Sequence, residues 1–198
     1  SAIADLQTSL DAQLHLPAGY SISYGGAYSE QQQSFRELMM ILSLAVLLVF
    51  AVLMFLFREW RISLTVLFIS VLGICGCLLA LWLTGVPLNV SSYTGIIMVV
   101  GIIAENAIFT VWQYRMNRRT GGDVSEAVDY AIALRIRPKL MTAIGAVLAL
   151  MPLALGIGLG AQMQQPLAVA VIGGFIVGLP LLLLVLPSIM LLIYKKSK

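Results

Sequence analysis

Residues 40–83 read MILSLAVLLVFAVLMFLFREWRISLTVLFISVLGICGCLLALWL. Two apolar runs meet at a short charged corner, Arg58-Glu59-Trp60-Arg61. About 20 mostly apolar residues carry a helix across the hydrocarbon of a bilayer. Each run reaches that length, so the stretch predicts two membrane-spanning helices joined by a tight polar turn.

The rest of the chain continues in this character. Of its 198 residues 60% are hydrophobic and 11% charged, with a mean hydropathy of +0.98. A soluble domain carries roughly a quarter charged residues. The expected fold is therefore all-α, a polytopic membrane helix bundle. Its five transmembrane helices are expected at about 35–57, 61–83, 91–114, 137–157 and 166–194. The last is long enough to tilt, or to break at Pro180 or Pro187. Residues 1–34 are soluble in character and open at Ser1, which predicts the tail of a domain belonging to a longer polypeptide. Residues 35–198 are the predicted bundle.

The net charge of +3 comes from 12 Lys+Arg against 9 Asp+Glu, too little to point to nucleic acid. Placement says more. The corner at 58–61, the connection at 115–139 and the C-terminal end are basic, while "TGVPLNVSS" and "GLGAQMQQP" carry no charge. The positive-inside rule puts the basic connections in the cytoplasm, with the N-terminal segment outside and the C-terminus inside. Every basic residue except Arg36 then lies at or near the cytoplasmic side.

The long basic connection predicts one further helix, amphipathic, at about 123–136 on the cytoplasmic side. Asp123 and Glu126 resemble a capping box, and Val124, Val128, Ala131 and Ile132 recur at helical spacing. Such a helix lies along the membrane face or against the bundle, and Pro138 suits the first turn of the next span. Small residues stud the spans in "GICGC" (73–77), "GIGLG" (156–160) and "GGFIVG" (173–178), with Gly174 and Gly178 as a GxxxG pair. Tight helix packing accounts for these. Asn89, Ser91 and Ser92 read as cap and turn residues.

Within "GIIAENAIFTVW" (101–112), Glu105 and Asn106 interrupt a lipid-compatible helix. A charge at bilayer depth costs about 2.5–3.5 kcal/mol on insertion scales, and it marks a functional position by default. Glu105 is either a proton-exchanging group or a carboxyl that bonds a neighbouring helix. Arg135, Lys139 and Thr142 share one helix face, from which a cation and a hydroxyl could reach an acid on another span. Lys139 lies near a span end, and the residues alone favour its snorkelling to the headgroups.

Other features are bland. Cys75 and Cys77 point in different directions on a helix and suit packing rather than a disulfide or zinc. His15 reads as a surface residue, and the nine methionines as apolar filler. There is no HExxH, no phosphate-binding glycine loop and no nucleophile with a base. The chain is not expected to be an enzyme, to take a cofactor or to hold a metal in this segment.

Three long motifs carry a resemblance. "LPAGYSISYGGAYSEQQQSFRELMMILSLAVLLVFAVLMFLFREWR" resembles the junction in resistance-nodulation-division (RND) efflux pumps where the second periplasmic domain returns to the membrane. "TGVPLNVSSYTGIIMVVGIIAENAIF" and the segment from "RIRPKLMT" to "LLIY" are similar to that family's later spans. The resemblance implies the last five spans of a twelve-span, proton-driven transporter of the bacterial inner membrane. Multidrug members carry "AKN" where this chain has "AEN". Glu105 with the lysine of "RPK" resembles the heavy-metal branch, in particular its copper and silver pumps, while the asparagine of "EN" belongs to the other branches.

By that likeness Glu105 and Lys139 are proton-relay partners, supported by Arg135, Thr142 and Asn106. The aspartate-bearing span completing the relay belongs to the first half of such a permease. The implied partners are that half with its periplasmic domain, a homotrimer, a periplasmic adaptor, an outer-membrane channel and the lipid bilayer. A multidrug or other organic-substrate pump is the alternative reading. A non-transporting membrane scaffold or sensor, tolerant of apolar replacement at Glu105 and Lys139, is a third.

Overall fold

A computed structural model describes residues 27–195, apart from 120 and 122, with side chains described from residue 34 to 194. Residues 1–26 of the domain tail expected at 1–34, with His15, lie outside the described residues. The chain divides into two compact units, residues 1–34 and 35–198.

Five helices follow one another and no strand occurs among the described residues. They are α1 (Ala27–Phe57), α2 (Trp60–Thr84), α3 (Val90–Arg119), α4 (Val124–Ala154) and α5 (Ala161–Lys195). All five are long and apolar enough to cross a membrane, α1 over Ser34–Phe57.

Local chemistry ends each helix where it does. α1 stops at Arg58, whose φ of 53° lies in the left-handed region and whose N–H closes on Met54 O at 2.9 Å. α2 stops at Gly85 in the same conformation, with Val86 N–H bonded to Leu81 O. The expected cap at Asn89 forms. Asn89 Oδ1 accepts from Ser92 N–H at 3.1 Å, and Ser92 Oγ accepts from Asn89 N–H at 2.8 Å.

The amphipathic helix expected at about 123–136 is not a separate element. It is the first half of α4, which runs unbroken through Pro138 into the span. Asp123 holds the cap position, but its side chain makes no capping hydrogen bond. One proline removes one ladder bond and can be carried by a helix held from outside. Here the holding comes from Val128, Ala127 and Ala131, which are buried in the bundle core. Their stripe continues in register through Arg135, Lys139, Ala143 and Ala146, so both parts of α4 dock by one face.

α5 is likewise unbroken through Pro166, Pro180 and Pro187. Glycines of "GIGLG" do not pack helices. Gly156, Gly158 and Gly160 all have positive φ and form the α4–α5 turn, where Gln165 Nε2 donates to the terminal Ala154 carbonyl at 2.9 Å.

α2, α3 and α5 make the centre of the bundle. In α5 56% of the most apolar window is buried, against 6% in α4. The other two glycine motifs interlock as expected. A Cβ placed on Gly76 would lie 2.9 Å from Gly173 O, and one on Gly174 would lie 2.8 Å from the buried Cys77 Sγ. Backbones of α2 and α5 therefore meet with no room for side chains.

A polar clamp ties four of the helices at one end. Arg115 of α3 donates to the last carbonyls of α1, Leu56 O at 3.3 Å and Phe57 O. It also sits 3.6 Å from Glu59 Oε1, and Tyr194 of α5 donates its hydroxyl to Glu59 Oε2 at 2.7 Å. The Tyr114 and Tyr194 rings stack at 4.7 Å.

Candidate functional site

The face shared by Arg135, Lys139 and Thr142 is turned toward α3. It forms one wall of a cleft of about 320 Å³, with α3 opposite and Phe175 and Leu179 of α5 behind. Glu105 and Asn106 line the α3 wall. The fold thus brings all five residues singled out in the sequence to one cavity.

Their individual geometry differs from expectation in instructive ways. Lys139 does not snorkel. Its side chain turns inward, leaving the residue 7% exposed, and Nζ donates to Thr110 Oγ1 at 2.7 Å. The Thr110 hydroxyl in turn donates to Asn106 O at 2.8 Å. A continuous hydrogen-bonded path therefore runs from the ammonium of α4 to the backbone of α3. Asn106 bonds back to Ile102 O at 2.8 Å within its own helix, and Thr142 does the same to Pro138 O at 2.8 Å. Neither side chain crosses between helices.

Glu105 and Lys139 share the cleft without touching. Glu105 is exposed on its wall, and among the described residues it makes neither hydrogen bond nor ion pair. Lys139 likewise has no carboxylate within ion-pair distance among the described residues. Arg135 lies with its guanidinium 4.8 Å over the Phe109 ring, and its Nε is buried with no hydrogen-bond partner among the described residues. Two cations and one acid thus face a common space with their charges uncompensated by one another, an arrangement that a low-dielectric site makes costly.

Thr110 and Phe109 were not singled out in the sequence, yet they hold the two cations. A signal for Thr110 existed, since it falls one helical turn after Asn106 and so shares the polar face of α3. Phe109 carried none, because an aromatic in an apolar run is ordinary.

A family model described as the AcrB/AcrD/AcrF family matches residues 1–194. The chain belongs to that family. Its resemblance to RND efflux pumps, read from the motifs, is borne out. The cobalt-zinc-cadmium resistance protein CzcA of Cupriavidus metallidurans is 33% identical over 198 residues, 100% of this chain and 19% of its own length. The multidrug resistance protein MdtC of Erwinia tasmaniensis is 36% identical over 181 residues, 90% of this chain and 18% of its own. The crystal structure of a heavy metal efflux pump matches with a TM-score of 0.79 at 34% identity, over 98% of this chain and 19% of that one. The chain therefore spans about a fifth of the length of these relatives. Family membership and five apolar spans make it a multi-pass membrane protein, and the relatives are resistance and efflux proteins.

Proposed function

We propose that this chain is the second-half membrane bundle of a proton-driven RND permease that exports heavy-metal cations across the bacterial inner membrane. One observation carries the reading: a lysine buried to 7% exposure and held, among the described residues, only by a threonine hydroxyl, in a cleft whose opposite wall presents Glu105. An ammonium so placed is costly unless a carboxylate reaches it. Carboxylates from the remaining half of the permease, entering the cleft beside Glu105, would supply that charge.

In this reading the cleft alternates between two pairing states, and the Lys139–Thr110 contact supports one of them. Lys139 rests on Thr110, and Arg135 rests on Phe109 with Nε unpartnered among the described residues. When the carboxylates are ionised, both cations turn to them and the Lys139–Thr110 bond breaks. When protons enter from outside, the carboxylates lose their charge and Lys139 returns to Thr110. Because that bond joins α4 to α3, each exchange shifts the packing of the two helices. The shift is passed to the periplasmic domain, which carries the metal cation as cargo. Arg135 and Thr142 shape the cleft, and Asn106 anchors Thr110 through its carbonyl.

The basic connections support a cytoplasmic C-terminus and a periplasmic N-terminal segment. A homotrimer with an adaptor and an outer-membrane channel completes the assembly. Glu105→Gln in the intact permease, reconstituted in liposomes, is expected to cut metal-driven proton flux at least tenfold. Antiport at the unaltered rate would sink the reading.

A second reading, an organic-substrate pump of the same family, is favoured by the 36% identity to MdtC and by the asparagine of the "EN" pair. Resistance of a host carrying the full gene, to metal salts on one plate and organic toxicants on another, separates the two.

A further inference from the structure

The corner between α1 and α2 carries two guanidinium groups that the bundle does not use. Arg58 and Arg61 are both exposed, and neither makes a side-chain hydrogen bond or ion pair among the described residues. Arg61 only overlies the Trp60 ring, at 5.7 Å. With Glu59, Ile193 and Tyr194 they line a hollow of about 270 Å³. Its one acid is already engaged, since Glu59 accepts from Tyr194 and faces Arg115. The hollow is therefore net positive, and it sits where two membrane-length helices end.

Along α2 and α5 lies a second hollow of about 450 Å³, lined by Leu64, Phe68 and Val71 of α2 and by Ile189 of α5. The two are in register. Leu64, Phe68 and Val71 follow Arg61 at three- and four-residue steps, and Ile189 lies one turn before Ile193. Thr65, also on this wall, bonds back to Arg61 O at 2.8 Å and leaves the groove apolar. At 1.5 Å per residue, Arg61 to Val71 covers about 15 Å, a length for a hydrocarbon chain rather than for an ion.

We propose that this corner binds an anionic phospholipid. The phosphodiester sits between Arg58 and Arg61, Trp60 lies at the level of the headgroups, and one acyl chain runs down Leu64, Phe68 and Val71. Paired basic groups select against a zwitterionic headgroup, because the second, positive charge of choline would face guanidinium. Neither this hollow nor the groove includes a residue of the Lys139 cleft, so the site stands apart from the relay.

The test uses the intact permease, delipidated in detergent and offered phosphatidylglycerol, phosphatidylcholine or inorganic phosphate, with bound lipid read by native mass spectrometry. Phosphatidylglycerol should be retained at least tenfold over phosphatidylcholine. Arg58→Ala with Arg61→Ala should erase that preference, leaving phosphatidylcholine unchanged. Val71→Trp, which fills the groove and keeps both arginines, should also weaken phosphatidylglycerol severalfold, and inorganic phosphate should not displace the lipid. Equal retention of the two lipids overturns the proposal, as does a preference indifferent to the arginine pair. Displacement by inorganic phosphate, or indifference to Val71→Trp, overturns it in favour of a bare anion site. The headgroup comparison and Val71→Trp decide the matter even if the double alanine variant fails to fold.

Discussion

The Lys139→Met permease should fold and insert as before, and lose proton-coupled transport by roughly a hundredfold, the low end of what a positioned proton-handling side chain contributes. Both halves of this expectation come from the same geometry. Lys139 is buried and bonded to one hydroxyl, with no counter-ion among the described residues. Methionine matches its length, fills the same space and removes the desolvation of an ammonium. Replacing buried charge by apolar groups of similar volume is often neutral, or stabilising by about 1–4 kcal/mol. Thr110 loses its donor but keeps its bond to Asn106 O, so no polar atom is orphaned. Thermal unfolding in detergent should therefore show an unchanged or raised midpoint beside the lost flux. A variant that still pumps removes Lys139 from the relay. One that loses flux only because it unfolds makes the residue structural.

Gly173→Ala should do the reverse, leaving the cleft residues in place and weakening the bundle. A Cβ there would stand 2.3 Å from Ala80 Cβ and 2.7 Å from Gly76 O. The second neighbour is backbone and cannot swing away, so α2 and α5 must separate. Overpacking of this kind costs about 1–3 kcal/mol and occasionally more. Without a hydrophobic drive between helices in lipid, close packing is the main attraction lost. The expected result is a midpoint lowered by roughly 2–12 °C or a failure to accumulate in the membrane. Gly101→Ala is the control: nothing lies within 4 Å of its new Cβ, so the midpoint should hold. Equal behaviour of the two variants would show that the α2–α5 contact is looser than the structure has it.

How much of this was legible in advance depends on the range of the forces involved. Spans are set by local hydropathy, and five apolar runs gave five helices. The Asn89–Ser92 cap formed because its partners are three residues apart. The glycines of 73–77 and 173–178 were readable as contact points, though not as each other's partners. The separate helix at 123–136 was misread because Pro138 looks like a first-turn residue when viewed along the chain alone. What carries α4 past it is burial of Val124, Ala127, Val128 and Ala131 against α3 and α5, a tertiary contact that the local pattern around Pro138 does not show. "GIGLG" was misread for a related reason, since glycine serves close packing and positive φ equally well.

At the cleft the division is sharper. By itself the sequence determined that the chain is a membrane bundle, that Glu105 is expensive at its depth, and that Arg135, Lys139 and Thr142 share a face. These follow from composition and the 3.6-residue period. Only the tertiary structure decided that Lys139 turns inward to Thr110 instead of outward to headgroups, and that Glu105 shares its cavity without pairing. A lysine near a span end reaches either way, and its choice depends on how α4 is rotated against α3. That rotation is set by side chains and backbones meeting across helices, which no local pattern encodes.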